Sequence, residues 1–246
     1  MEQQDILSMT LPELQAAVQE LGEPKFRAKQ IFNWLHQKRV TDFSEMTTLS
    51  LPFRERLASD FCINRLKIAK RLASSVDDTV KYLYELPDGN YVETVCMQYH
   101  HGTSLCISTQ VGCRMGCRFC ASAIAGFVRN LTPAEMLLQI YETERAQNCK
   151  ISSLVLMGIG EPLDNFDNVL RFLQLLSDPN GYGMSLRHVT VSTCGVVPKI
   201  LELAEQRLGL TLSVSLHCPN DAGRSAIMPI NRSYPIDVLL DACQTY

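Results

Sequence analysis

Hydrophobic residues near the start of the chain recur every three to four positions, which is the period of an amphipathic helix. Thr10 and Glu13 form a capping box at the start of a first predicted helix. A second helix is predicted over residues 25–38, and a third begins near Ser50. The pattern therefore predicts a small helical accessory domain over residues 1–72.

The hydrophobic period then changes from that of a helix to that of a strand. Residues 79–98 contain two alternating runs, TVKYLYEL and YVETVCMQ, on either side of the turn sequence PDGN, which predicts a β-hairpin. We assign residues 73–102 to this hairpin linker. Over residues 103–246, four apolar strands alternate with amphipathic helices, which is typical of a parallel sheet covered by helices. The predicted fold class is therefore α/β.

Three cysteines follow the first of these four strands. Cys113, Cys117 and Cys120 have the spacing C-x3-C-x2-C, so three thiolates on one short loop can hold one metal centre. An iron–sulfur cluster usually has four cysteine ligands, and a set of three leaves one iron open to bind a substrate or cofactor. Zinc is the alternative, although structural zinc sites favour two pairs of ligands and no second pair follows at such a spacing.

Polar and glycine-rich segments follow the other three strands. Residues 158–162 follow the second strand, Ser192 ends the third, and residues 215–217 end the fourth. Because ligands bind at the carboxyl ends of parallel strands, we expect these segments to meet the cysteine loop in one pocket. Glu161 can receive a protonated amino group there. The glycines alone are weak evidence, since a tight strand-to-helix turn has the same pattern, and His217 is as often structural as functional.

Two further residues have an ordinary interpretation and a functional one. Glu93 lies in the second hairpin strand on an otherwise apolar face, where a carboxylate is costly unless it has a partner or a role. From the pattern alone it is more often a strand-edge acid. Cys106 lies in the strand before the cysteine loop, and a free cysteine there is usually a small buried hydrophobic residue.

Composition and charge narrow the class of protein. The 246 residues are 46% hydrophobic with a net charge of −3, but residues 25–71 carry eleven Lys and Arg against four acids. This local excess favours contact with RNA phosphates, and it also fits solvated helix faces. No apolar run reaches membrane-spanning length, and the start of the chain lacks a signal-peptide pattern. We therefore expect a cytoplasmic protein whose ten cysteines are reduced.

The chain resembles the RlmN and Cfr family of radical S-adenosylmethionine (SAM) enzymes, which methylate adenine in RNA, in the strings LCISTQVGCRMGCRFCA, MGIGEPLDN, VSTCGVVP and SLHCPND. The resemblance implies a partial (β/α)6 barrel in which Cys113, Cys117 and Cys120 hold a 4Fe–4S cluster and SAM binds the fourth iron. It also implies SAM contacts from six residues, which are Gly160, Glu161, Ser192, Ser215, Leu216 and His217.

The resemblance further implies a mechanism and partners. One SAM methylates an enzyme cysteine, and a second SAM is cleaved to a 5′-deoxyadenosyl radical that activates this methyl group for addition to adenine. Glu93 would handle a proton, and Cys106 would release the RNA by forming a transient disulfide with the methyl-carrying cysteine. The implied target is carbon 2 of adenine in 23S rRNA, with tRNA as a further substrate. The enzyme would be a monomer away from membranes, reduced by flavodoxin or ferredoxin.

The chain also departs from the family pattern. Family members continue beyond the equivalent of Tyr246, with the last barrel strands, a SAM-contacting asparagine and the methyl-accepting cysteine. We therefore expect a truncated sequence that does not complete methyl transfer alone and whose last parallel strand, TLSVSL, has an unpaired edge. Three alternatives stay open: a radical SAM enzyme with another substrate, methylation at carbon 8 as in the Cfr type, and a non-catalytic RNA-binding module with a structural metal.

Overall fold

The computed structural model describes residues 3–124 and 126–246; Met1, Glu2 and Ala125, which belong to the predicted accessory domain and the cysteine stretch, lie outside the described residues. The described residues form eleven strands: β1 (Gln4–Asp5), β2 (Phe61–Cys62), β3 (Lys67–Ala73), β4 (Val80–Glu85), β5 (Tyr91–Tyr99), β6 (Gly102–Cys106), β7 (Gln110–Gly112), β8 (Phe127–Asn130), β9 (Ile151–Leu156), β10 (Val189–Thr193) and β11 (Thr211–Val214). They also form eight α-helices: α1 (Leu11–Glu20), α2 (Phe26–His36), α3 (Leu51–Asp60), α4 (Pro133–Gln147), α5 (Phe166–Ser177), α6 (Val197–Glu205), α7 (Asp221–Ile227) and α8 (Ile236–Thr245).

Seven strands form one mixed sheet in the order β11-β10-β9-β6-β5-β4-β3. The pairs β11–β10, β10–β9 and β9–β6 are parallel. A helix follows each of β9, β10 and β11, whereas β7 and β8 lie between β6 and its helix α4. The pairs β6–β5, β5–β4 and β4–β3 are antiparallel. The predicted parallel sheet and the predicted hairpin, β4–β5, are both confirmed. Strand β3, which the sequence analysis did not predict, extends the sheet beyond the hairpin.

The two faces of this sheet differ in burial. On the outer face, Val92, Leu105, Leu154 and Val191 are completely buried and belong to the same hydrophobic core as the helices. On the inner face, the residues between them are partly exposed in β5, β9 and β10. Side chains alternate between the two faces of a strand, so this difference follows directly from the apolar alternation in the sequence. The inner face is the one that a ligand can reach.

Helices α1, α2 and α3 confirm the three helices predicted for the start of the chain. They share one hydrophobic core with the sheet and its helices. Arg171 Nη1 of α5 lies 2.6 Å from a carboxylate oxygen of Glu13, and the buried His36 Nδ1 lies 2.9 Å from the hydroxyl of Tyr141. The division of the chain at residues 72 and 102 stays a prediction.

The sheet ends at β11 on one side and at β3 on the other. Among the described residues, β11 pairs with β10 alone, so the segment TLSVSL has the unpaired edge that the departure from the family pattern led us to expect. Strand β3 is exposed along its whole length. Within residues 3–124 and 126–246, no helix combines the length and the apolar character needed to cross a bilayer.

Candidate active site

The three predicted cluster cysteines lie in a loop between β7 and β8, which pair antiparallel at its base. Gly112 ends β7 with a φ of +72°, and a Cβ at this position would overlap the carbonyl oxygen of Gly126. The amide of Cys113 donates a hydrogen bond to that same oxygen at 3.1 Å. Only glycine fits this close approach, so a backbone contact fixes where the cysteine loop begins.

A cavity of about 310 Å³ lies against this loop. Its walls come from the cysteine loop and from the carboxyl ends of β9, β10 and β11. Eight of the predicted site residues line it: Cys113, Cys117, Cys120, Gly160, Glu161, Ser192, Ser215 and His217. The four segments therefore meet at one edge of the sheet, where the sequence predicts a pocket.

The cavity wall around the cysteines fits an iron–sulfur cluster. Cys117 packs with Cys194 and Met228 in a small hydrophobic group, and burial raises the pKa of the Cys113 and Cys117 thiols. Thiolates in such surroundings need the positive charge that a metal centre supplies. Among the described residues, no three His, Cys, Asp or Glu side chains converge closely enough to ligate a single metal ion. A four-iron cluster does not need that closeness, because each thiolate binds a different iron atom.

Two glycines bring the loop after β9 against the loop after β6. A Cβ on Gly158 would lie 2.7 Å from the backbone of Ile107, and one on Gly160, whose φ is +106°, would lie 2.6 Å from the Cβ of Gln110. Gln110 is completely buried, and its Oε1 accepts a hydrogen bond from the amide of Glu161 at 2.9 Å. These glycines therefore let two segments of the chain pack closely against each other, and this packing sets the position of Glu161.

Glu161 is a buried carboxylate in the cavity wall, with 4% of its surface exposed. Its Oε1 accepts from the amide of Leu163 at 3.0 Å, and its Oε2 accepts from the amide of Cys194 at 2.7 Å. Burial raises the pKa of the carboxyl group, while the bond from Cys194 and then that from Leu163 oppose this shift. No salt bridge among the described residues involves Glu161. The carboxylate is therefore oriented by backbone amides and can accept a cationic group of a ligand.

Hydroxyl and imidazole groups complete this end of the cavity. Ser192 lies in β10, and Ser215 and His217 follow β11. His217 adopts a φ of 56°, an uncommon left-handed conformation for a residue other than glycine, and its ring centroid lies 4.4 Å from that of Phe119. Leu216 does not line the cavity and is 37% exposed. A contact between Leu216 and SAM would therefore have to come from its backbone.

Glu93 and Cys106 do not line this cavity but lie on the inner face of the sheet. Cys106 pairs in register with Val95 of β5 and Val155 of β9. Glu93 is two residues from Val95 and therefore shares its face. The Cys106 thiol also accepts a hydrogen bond from the amide of Met157, a residue of the cavity wall. The two predicted catalytic residues are thus neighbours on the face that leads to the cavity.

Glu93 has the partner that a carboxylate on an otherwise apolar strand face needs. The inner face is partly exposed, and Glu93 Oε1 lies 2.6 Å from Lys81 Nζ, with about 40% of each side chain open to solvent. Glu93 therefore has both a partner and water. Cys106 is more enclosed, and burial raises the pKa of its thiol. The roles of both residues in the reaction stay predictions.

The sequence analysis did not single out the polar residues that hold these loops together. Arg129 of β8 joins the base of the cysteine loop to the hairpin turn and to α4: its Nε lies 2.7 Å from Asp88 Oδ2, and its Nη2 lies 2.7 Å from Glu135 Oε1. The guanidinium holds the pKa of Asp88 well below its usual range. The capping box of Glu135 is readable from the sequence, but its pairing with Arg129 depends on tertiary structure.

Comparison with known proteins assigns this fold and site to a class. The family model "Radical SAM superfamily" matches residues 107–246. The crystal structure of a radical SAM methyltransferase from Sphaerobacter thermophilus superposes with a TM-score of 0.91 at 37% sequence identity, over 98% of this chain and 71% of that one. The fold and the cavity are those of a radical SAM enzyme, a class that uses a 4Fe–4S cluster and SAM.

The relatives identify the family within this class. The family model "Ribosomal RNA large subunit methyltransferase N-terminal domain" matches residues 4–63. A relative from Lachnoclostridium phytofermentans is 51% identical over 98% of this chain and 68% of its own length, and one from Clostridium novyi is 48% identical over 98% and 71%. Both are named "Probable dual-specificity RNA methyltransferase RlmN". The chain belongs to the RlmN family of radical SAM RNA methyltransferases.

Proposed function

We propose that this protein methylates carbon 2 of adenine in 23S rRNA and in tRNA. Radical SAM methylation of RNA is the activity of the family to which the chain belongs. The observation that carries the proposal is the shared cavity, in which three cysteine thiols, a buried carboxylate and several hydroxyl groups meet at the carboxyl ends of parallel strands. When bound, the cluster supplies the electron that cleaves SAM.

The chain's own residues have distinct roles in this proposal. Cys113, Cys117 and Cys120 hold the cluster, and Cys117 packs in an apolar group with Cys194 and Met228. Glu161 receives the amino group of SAM, because its carboxylate is already oriented by two backbone amides. Further contacts to SAM come from Gly160, Ser192, Ser215, the backbone of Leu216, and His217.

Two residues of the inner face act on the RNA side of the reaction. Glu93 takes up a proton from the adenine ring, and the ammonium group of Lys81, 2.6 Å from Glu93 Oε1, orients its carboxylate. Cys106 attacks the sulfur of the methyl-carrying cysteine: an S–S bond forms, the bond from that sulfur to the carbon now joined to adenine breaks, and this carbon keeps the electron pair and takes up a proton, which releases the methylated RNA. Their support is their common sheet face and the hydrogen bond that links Cys106 to Met157 at the cavity wall.

We further propose that residues 1–72 form an RNA-contacting accessory domain, joined by residues 73–102 to the catalytic domain at 103–246. The basic strip of β3 (Lys67, Lys70 and Arg71) supports an extended contact surface, because the whole strand is exposed at a sheet edge. Lys and Arg supply the sequence-independent part of RNA affinity. We also propose a cytoplasmic location and a protein reductant of the flavodoxin or ferredoxin type; no disulfide bond joins the cysteines of the described residues, which suits reducing surroundings.

The test is anaerobic reconstitution with iron and sulfide, followed by reaction with SAM, a reductant and either a 23S rRNA fragment or tRNA. The chain is assayed as it is and also fused to the part of the Lachnoclostridium phytofermentans relative that lies outside the match. We expect 2-methyladenosine in digests of both RNAs treated with the fused protein. The variant Glu161→Gln is expected to keep its iron but to bind SAM more weakly.

Other products would contradict specific parts of the proposal. 8-Methyladenosine would assign the protein to the carbon-8 type. 5′-Deoxyadenosine without any methylated nucleoside would indicate a different substrate. One zinc per chain in place of iron and sulfide would favour a metal-stabilised RNA-binding module.

A further inference from the structure

Arg224 in α7 is completely buried. Its Nη1 donates to Asn231 Oδ1 at 2.7 Å, and its Nη2 donates to the carbonyl oxygens of Cys194 at 2.6 Å and Ser215 at 3.4 Å. Its Nε has no hydrogen-bond partner among the described residues. The guanidinium group is therefore held by an amide and two backbone carbonyls.

A buried cation needs a compensating negative charge, because removing it from water is costly. Within the part of the chain that the structure describes, Arg224 takes part in no salt bridge. Asp221 is exposed and reaches it only through Asn231, whose Nδ2 donates to Asp221 Oδ1 at 2.8 Å. Glu161 accepts a hydrogen bond from the amide of Cys194, whereas Arg224 donates to the carbonyl oxygen of that residue. Neither carboxylate neutralises Arg224 by direct contact.

The position of Arg224 indicates where that negative charge comes from. Its two carbonyl partners belong to Cys194 and Ser215, which line the cavity together with the cluster cysteines. Cys194 also packs against Cys117. The positive field of Arg224 therefore reaches a residue that holds the cluster in the proposed function.

We propose that Arg224 is a positioning residue whose buried charge raises the reduction potential of the 4Fe–4S cluster and so makes the cluster easier to reduce. The inference rests on the proposed function. A one-electron protein reductant delivers one electron to the cluster, and no bond of Arg224 is made or broken. Because each thiolate ligand and the added electron are negative, a fixed nearby cation stabilises the reduced state more than the oxidised one. Net charge and local polarity are among the properties that set iron–sulfur potentials.

Four variants separate the charge of Arg224 from its hydrogen bonds. Arg224→Gln removes the charge, whereas Arg224→Lys keeps the charge but loses the planar fork. The double variant Asn231→Asp with Asp221→Asn keeps Arg224 and the net charge, but moves a carboxylate into direct contact with the guanidinium. Arg232→Gln, at an exposed arginine near the same helix, is the control. Each protein is reconstituted anaerobically, its iron and sulfide are quantified, and its potential is measured by a redox titration followed by electron paramagnetic resonance.

We expect lower reduction potentials for Arg224→Gln and for the double variant. At the midpoint potential of the parent protein, the ratio of reduced to oxidised cluster in these variants should be at least tenfold lower, which corresponds to about 59 mV for one electron. Arg224→Lys should stay within threefold of the parent, and Arg232→Gln should match it. Unchanged reduction potentials in Arg224→Gln and in the double variant would overturn the inference. An equally lowered potential in Arg224→Lys would also overturn it, because it would indicate a purely structural role. If Arg224→Gln fails to hold a cluster, the double variant decides. Absence of a four-iron cluster in the parent protein would instead contradict the proposed function.

Discussion

Replacement of Gly112 by alanine tests whether the base of the cysteine loop depends on backbone contact. An alanine at a left-handed φ costs about 1–2 kcal/mol wherever it occurs. At Gly112 the added Cβ would also overlap the carbonyl oxygen of Gly126 and lie 2.8 Å from its carbon, whereas ordinary contacts begin near 3.4 Å. The two backbone segments must therefore separate, which breaks the hydrogen bond from the Cys113 amide.

The extra cost has two sources. Overpacking of a well-packed site costs about 1–3 kcal/mol, and the lost hydrogen bond costs about 1 kcal/mol. Gly112→Ala should therefore destabilise the protein by about 3–6 kcal/mol when the φ cost is included. The matched control is Gly22→Ala: Gly22 has a φ of +76° with no atom within 4 Å of an added Cβ, so it carries the φ cost alone.

Thermal unfolding and iron content after anaerobic reconstitution measure the two effects. We expect Gly112→Ala to unfold at least about 4 °C below Gly22→Ala, on the scale of 2–4 °C per kcal/mol for a chain of this size. It should also retain less iron, because the first cluster cysteine no longer has a fixed position. If the two variants unfold at the same temperature and bind the same amount of iron, then the close approach at Gly112 does not hold the loop.

Three further predictions concern the cluster, the RNA surface and the pH dependence of stability. Changing Cys113, Cys117 or Cys120 to Ala should abolish the iron–sulfur absorbance, whereas Cys149→Ala should leave it intact; a full cluster in any of the first three would refute the ligand assignment. Reversing the charges of the basic strip of β3 should weaken RNA binding and lower its salt slope by up to about 3, as measured by binding at several salt concentrations. Reversing three exposed basic residues at the amino ends of the parallel strands, far from the cavity, is the control and should change the slope less: Lys150, Arg187 and Arg207. Burial lowers the pKa of His36 to about 4, so the unfolded chain binds more protons between that value and the ordinary pKa of 6.5. Stability should therefore fall by about 2 kcal/mol from this residue between pH 7 and pH 5. In denaturant titrations His36→Phe should lose that dependence, and an unchanged slope with pH would contradict it.

Much of the fold follows from local pattern. The four parallel strands, the hairpin and the helices of the accessory region are readable because hydrophobic alternation and capping boxes act over a few residues. Strand β3 is not readable in this way. Its sequence, KIAKRLA, is exposed throughout and has a register irregularity between Ile68 and Lys70, so it carries no clear buried alternation. It forms because its backbone pairs with the edge of β4, and this pairing cannot be read from the residues of β3 themselves.

The candidate site also has a part that could be predicted from the sequence and a part that could not. The cysteine spacing and the segments after each strand predict one pocket, since parallel strands direct their carboxyl ends to the same edge. Arg224 could not be predicted from sequence, because an arginine in the polar run NDAGR is ordinarily exposed. It is buried only because Asn231 and the carbonyls of two distant loops provide acceptors. The contact of Gln110 with the amide of Glu161 also joins residues 51 positions apart.

The uninterrupted hydrogen bonding from β3 to β10 fixes the distances between these strands. Neighbouring strands are spaced by about 4.8 Å, so the exposed basic edge lies at most about 14 Å from β6, which carries Cys106, and at most about 24 Å from β10, which carries Ser192. Hydrogen-bonded strands stretch and shear very little, so the distances from β3 to β6 and to β10 stay constant during the reaction. An RNA held by its phosphates at β3 would therefore present for reaction only a base that its own fold sets at the matching distance. If RNA binds at β3 as proposed, the distance between β3 and the cavity would select substrates by the shape of the RNA as well as by contacts to the base.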